Sequence, residues 1–483
     1  MNRIRATLVA GLMARGNAAA GEAKPPQAAD EWAAYTKLAQ RRGQLVSAVA
    51  AGRDPTQLDF PPLTPTPEIQ RRLSPRRLIL SFHWTSAGLF GALESNAQST
   101  TWQVKNPAAV AKEIAALAKA ICLFDPVGPV ATERLLETDW RPAAERVERL
   151  LFENSKVALG EQTDELVIVP DGPLWYLPFE LLPVGSARNV AADDPTADAD
   201  APKPPLLRDL CRVCYCPTRS LAVMRFDAGR AEGPIGLRTG KMFRGSKPEA
   251  AQEALERLAQ ASDRIVPLDA VDRAAPVPAV ASLCDTLVIL DELAGDGPIA
   301  ARSLVAETPA KGGMTFGDWL APPRKRPRLM VLPGFQTAMA GGLAKMPPRA
   351  GDDLFIAATD LLAAGARSAV VSRWRTGGKI AVDLVDEFIR DVAAMPEDGA
   401  AAPAVVASWH RAVELVGAEQ PDPAREPRIK QSPGAVLADA RHPFFWAGYA
   451  VIDCGPGTYD EPPPQANQPP QPQAKPLPPQ AKP

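Results

Sequence analysis

What most constrains this chain is a series of short apolar runs between residues 165 and 453. ELVIVP begins it at Glu165, and RVCYCP, GPIGL, DRIVPL, DTLVIL, RLMVLP, RSAVVS and YAVI follow. Continuous apolar runs of this length mark strands covered on both faces, where no side chain need face water. Helical stretches at 248–260, 352–364, 378–395 and 402–417 separate several of them. Strands alternating with helices predict an α/β fold, a mostly parallel sheet flanked by helices on both faces. In such sheets functional groups gather at the carboxyl ends of the strands.

Charge and sulfur narrow the function classes. Against 56 Asp and Glu stand 54 Lys and Arg, a net charge of -2, which provides no broad positive surface for nucleic acid or anionic membrane. RKRPR (324–328) reads as a solvated loop before a strand. No apolar stretch reaches the roughly 18 residues of a membrane helix, so neither nucleic acid nor membrane is an expected partner. Arg3 and Arg5 precede the apolar stretch Ala6–Ala14, but Arg15 cuts it short, and a cytoplasmic location is expected rather than a secretory leader. Six cysteines in so long a chain are no disulfide scaffold. Cys211, Cys214 and Cys216 lie on an alternating strand with Cys211 on the opposite face, so buried thiols are expected, and no metal. His83, His410 and His442 are the only histidines, and none lies at an exit from the parallel strands. No phosphate-binding loop occurs and no cofactor is expected. RTGGKIAVDL (375–384) reads as a strand–loop–helix connection rather than an anion site.

Four regions are expected. Residues 1–75 hold a helix from Asp30 to about Ala51, with Trp32, Tyr35, Leu38 and Leu45, then an extended connector through FPPLTPTPEIQ. Residues 76–160 form an α+β extension: a hairpin or meander over RRLILSFHWTSAGLFGALE and STTWQV, then helices opening at Asn106-Pro107 and Arg141-Pro142. Residues 161–456 form the core, interrupted by an exposed loop at 186–205 that has little to bury. Residues 457–483 make a Pro/Gln-rich tail, with ten prolines in the last 23 residues, that is expected to be disordered. Near the end of the core, Phe444, Phe445 and Trp446 are expected to dock the last strand onto the sheet, with Pro443 disfavouring helix.

Five segments occur in a telling order: VIVPDGPLWYLPFELLP (167–183), LVILDELAG (287–295), LMVLPGFQTAMAGG (329–342), LLAAGARSAVVSRWRTGG (361–378) and HPFFWAGYAVI (442–452). Together they resemble the bacterial CHAT domain, a member of the caspase- and separase-like clan of cysteine peptidases, over roughly residues 70–455. The resemblance implies a caspase-like sheet with a His-Gly pair at one strand end. It also implies a cysteine at the end of the next strand, in a Ser-Ala-Cys-x-Thr context. Here the first strand runs out into Asp291-Glu292-Leu293-Ala294-Gly295, so the family histidine falls on Glu292 or Leu293. The second runs into Pro333-Gly334-Phe335-Gln336-Thr337, so the family cysteine falls on Phe335. No thiolate–imidazolium pair can be assembled from these residues.

The expected function is therefore that of a pseudopeptidase, a non-catalytic protein-interaction or regulatory and signalling module with a protein or peptide partner. The competing reading is a peptidase with an unorthodox site, in which Glu292 serves Ser372 or Thr337, although an ordinary carboxylate is a poor base near pH 7. Phe335, Arg373, Trp374 and Arg375 are the candidate peptide-binding residues, since aromatics and arginine dominate such contacts. Packing of Trp374 in the core is the competing reading for that residue.

Overall fold

A computed structural model describes residues 63–122, 129–137, 139–155, 157, 163–184, 204–224, 233–240, 253, 256–268, 283–294, 303–304, 315–317, 327–337, 339, 350–394, 404–426, 428–430 and 438–455, with positions 7–10, 34, 37, 38 and 41. The expected N-terminal helix, apart from isolated positions, the loop at 186–203 and the Pro/Gln-rich tail lie outside the described residues.

Among the described residues eleven strands build one sheet: β1 (Arg77–Thr85), β2 (Gly88–Glu94), β3 (Ser99–Gln103), β4 (Glu165–Val169), β5 (Arg212–Tyr215), β6 (Ile235–Thr239), β7 (Ile265–Pro267), β8 (Thr286–Leu290), β9 (Leu329–Leu332), β10 (Ser368–Ser372) and β11 (Tyr449–Asp453). Their order across the sheet is β3-β2-β1-β4-β5-β11-β10-β9-β8-β6-β7. β1, β4 and β5 are mutually parallel, as are β10, β9, β8, β6 and β7. β11 runs antiparallel to β10 and meets β5 through one residue pair, Ile452 with Tyr215. Every residue of β4, β8, β9, β10 and β11 is buried, which is why those runs carry no polar alternation. The expected meander, β1 to β3, is not a separate layer: β1 hydrogen-bonds β4 in parallel and so extends the main sheet.

Helices flank the sheet, among them α1 (Thr66–Arg72), α2 (Pro107–Ala120), α3 (Arg141–Phe152), α4 (Asp352–Ala363), α5 (Lys379–Ala393), α6 (Val405–Gly417) and α7 (Pro443–Trp446). In α2, Val110, Ile114 and Leu117 recur at helical spacing on one buried face, and α2 packs on α3. α5 and α6 pack together, with the Phe388 and Trp409 rings 5.4 Å apart.

Two expectations are corrected, both at proline. The connector FPPLTPTPEIQ is not extended throughout, because α1 begins at Thr66 with Pro67 in its first turn. The Pro443 segment is not strand-like either, because α7 starts at that proline. A first-turn proline lacks only an N–H that would have no helical partner, and its fixed φ suits the helix. The restriction falls on the preceding residue: His442 is extended, and its Nδ1 accepts the Phe444 N–H at 3.2 Å as the helix cap. Burial of this neutral ring pulls the His442 pKa down to about 4. Phe444, Phe445 and Trp446 are nonetheless buried against the core, immediately before β11.

Candidate functional site

The candidate site is the edge where β8, β9 and β10 end. Gly334 lets the first two exits touch: its carbonyl accepts the Leu293 N–H at 3.1 Å, and a Cβ there would lie 1.9 Å from the Asp291 carbonyl oxygen. Asp291 turns inward and accepts its neighbour's N–H, Glu292 N to Oδ1, at 2.9 Å. Glu292 is buried, and its carboxylate lies 3.4 Å from the Arg375 guanidinium. Phe335 is 0% exposed, with its N–H bonded to Leu332 O at 3.1 Å.

The hydroxyls of this edge serve the backbone. Ser372 Oγ donates to Pro333 O at 2.8 Å and also contacts Phe335 O. Thr376 Oγ1 donates to Pro333 O at 2.6 Å, while Thr337 Oγ1 donates to Arg373 O and accepts the Met339 N–H at 3.2 Å. These bonds tie the β9 exit to the β10 exit and hold all three hydroxyls as donors to carbonyls.

Arg373 points inward, not outward. It is 0% exposed, and its Nη1 donates to Ala447 O at 3.2 Å and Tyr449 O at 2.5 Å while its Nε donates to Trp175 O at 3.3 Å. Its guanidinium lies 4.4 Å from the Tyr215 ring centre and 3.9 Å from Glu180. Arg373 at the β10 exit therefore contacts the turn after β4, the Tyr215 ring of β5 and the start of β11. Trp374 is 1% exposed and lies against Gly448, where a Cβ would come within 2.6 Å of its indole nitrogen. Of the four candidate peptide-binding residues, Phe335, Arg373 and Trp374 are buried, and Arg375 is at 31% side-chain exposure. Arginine beside tryptophan at a strand exit reads as a surface motif. The carbonyls that draw Arg373 inward come from segments far away in sequence.

The RTGG turn leads into α5 through Gly377 and Gly378, at φ 139° and 98°. The helix start is already occupied: Glu426, buried, accepts the Ile380 N–H at 2.8 Å. Burial pushes the Glu426 carboxyl up to about 8, with Asp383 adding to the shift and the backbone N–H groups of Ile380 and Lys379 opposing it. A raised carboxyl pKa means stability that is complete below the unfolded value and lost as pH rises through the folded one. Wild-type protein should therefore lose about 2–5 kcal/mol from this group between pH 4.5 and pH 9. Glu426→Gln keeps the helix cap through its amide oxygen and cannot ionise. Chemical denaturation at pH 5.5 and pH 9 should show the variant gaining on wild type as pH rises; an unchanged difference would rule out the ionisation.

Sulfur behaves as expected, since all six cysteines are buried and free. Burial raises the Cys211 thiol to about 12 and the Cys214 thiol well above its ordinary value, the opposite of an activated nucleophile. Among the described residues no group of three or more His, Cys, Asp or Glu side chains is placed to hold a metal. No helix among them is long and apolar enough to cross a membrane.

Residues 313–453 match the CHAT domain family. The CHAT match takes in β9, β10 and β11 with α4 to α7, and β8 with Glu292 precedes it. Two crystal structures of the Saccharomyces cerevisiae separase–securin complex are similar in fold, with TM-scores of 0.40 and 0.43 at 6% and 7% identity. Each comparison covers 80% of this chain and 30% of the other, so this chain spans under a third of that protein's length. No curated protein matches it in sequence.

Proposed function

We propose that the chain is a non-catalytic CHAT-type protein, a pseudopeptidase that acts as a protein-interaction or regulatory module in signalling. One observation carries the reading: Phe335, fully buried, fills the position that the family resemblance gives to the nucleophile. Its neighbours support it. The exit that the resemblance gives to the histidine presents Glu292, engaged with Arg375, and the two exits meet at Gly334 too closely for a Cβ there. The alternative, a peptidase with an unorthodox site, needs Ser372 or Thr337 to give up a backbone acceptor and to use Glu292 as base. The expected partner is a protein or peptide rather than nucleic acid or membrane, and the expected location is cytoplasmic.

Incubating wild type and a variant with all six cysteines replaced by serine with a broad panel of peptides and unfolded proteins tests this. Neither is expected to cleave anything. Cleavage by wild type that survives replacement of every cysteine would establish the alternative.

A further inference from the structure

The sheet ends in two unlike edges. β7 is three residues long, closes on Pro267 and has its first two residues buried, features that keep an edge from pairing with another chain. β3 has none of them. Its sequence STTWQ carries no charge and no proline, and threonine and tryptophan favour a strand. Its register against β2 fixes where its backbone points. The Ser95 N–H bonds Gln98 O before the strand and the Val104 N–H bonds Leu89 O after it, both at 2.9 Å, so the even-numbered residues from 98 to 104 face β2. The N–H and C=O groups of Ser99, Thr101 and Gln103 therefore point away from the sheet. Of these, only the Gln103 carbonyl has a partner among the described residues, Asn154 Nδ2 at 3.1 Å. All three residues are exposed. The strand itself is held firmly: Trp102 is buried against the Phe82 and Phe152 rings, and its indole donates to Leu151 O at 2.7 Å.

We propose that β3 pairs antiparallel with β3 of a second copy of this chain, about a two-fold axis at Thr101, so that two sheets join into one. A two-fold contact requires a patch that complements itself, and this edge does. With Thr101 opposite Thr101 and Ser99 opposite Gln103, every outward residue of one strand faces an outward residue of the other. Each outward N–H then meets a carbonyl, and the Gln103 carbonyl has a second lone pair to offer beside its bond from Asn154. Like charges do not meet, because the strand has none and Lys105 beyond it is held by Glu153 at 2.5 Å. Trp102 of one strand comes opposite Thr100 of the other, an aromatic and β-branched pair of the kind that stabilises a ladder. β3 lies across the sheet from β8, β9 and β10, so the pairing is independent of what the candidate site does.

Sedimentation of the full chain between about 1 and about 300 µM tests this, because a short strand pair is a small interface and a dimer with Kd on the order of 10 µM is expected. Thr101→Lys sets two like charges opposite each other at the axis. Thr101→Pro removes an outward N–H without touching the β2 ladder. Both are expected to stay monomeric throughout, with the far-UV circular dichroism of wild type, while Thr101→Val should dimerise as wild type does. Should Thr101→Pro misfold, Thr101→Lys decides, since the side chain it replaces is already in solvent. Wild type that remains a monomer at the highest concentration would overturn the proposal, as would a dimer that survives Thr101→Lys or a folded Thr101→Pro. A monomeric wild type that instead takes up an unrelated extended peptide along β3 would overturn the self-pairing and assign the edge to another protein.

Discussion

Gly334→Ala is expected to destabilise the protein by about 3–5 kcal/mol, although it adds one methyl group. Overpacking usually costs about 1–3 kcal/mol, because side chains can shift aside. Here nothing flexible stands in the way: the new Cβ would lie 1.9 Å from the Asp291 carbonyl oxygen and 3.0 Å from the Glu292 Cα. Backbone would have to move, and the 3.1 Å bond from Leu293 N to Gly334 O, which joins the β8 and β9 exits, would open with it. Denaturant unfolding of wild type and variant measures the difference. A loss below about 1 kcal/mol would mean that the exits separate easily, and the closed edge on which the non-catalytic reading leans would then be soft.

The same edge shows where a sequence is legible and where it is not. TLVIL, LMVL and SAVVS reveal themselves because strands buried on both faces are apolar nearly throughout, a constraint local to each run. Likewise 352–364 and 378–395 read as helices because their apolar positions recur at helical spacing, and α4 and α5 lie within those bounds. Proline misled twice, at Pro67 and Pro443, because the same residue forbids a helix interior and favours a helix start. The position of Phe335 follows from counting along a motif, but its burial depends on what Ser372, Thr376 and Gly334 do around it.

Arg373 is the extreme case, and its removal is the second large effect expected. Its guanidinium joins four segments: the turn after β4 through Trp175 O, the start of β11 through Ala447 O and Tyr449 O, the ring of Tyr215 on β5, and its own strand β10. Trp175 lies 198 residues away in sequence, so no local pattern could have announced the contact. Burying a cation is costly, and the cost is offset only while the carbonyls and Glu180 surround it. Arg373→Met fills much of the same volume but strands three carbonyl acceptors and leaves Glu180 without its buried counter-charge. The expected loss is about 3–5 kcal/mol, the range found when one partner of a buried charge cluster is removed. Arg373→Lys should recover little, since one ammonium cannot span acceptors on opposite sides of a planar fork. A double variant, Arg373→Met with Glu180→Gln, separates the contributions: if the stranded carboxylate matters, the pair should be less destabilised than the sum of the single changes. Should Arg373→Met unfold within about 1 kcal/mol of wild type, the four segments are held together by apolar packing alone, and the arginine is a passenger in the core rather than its link.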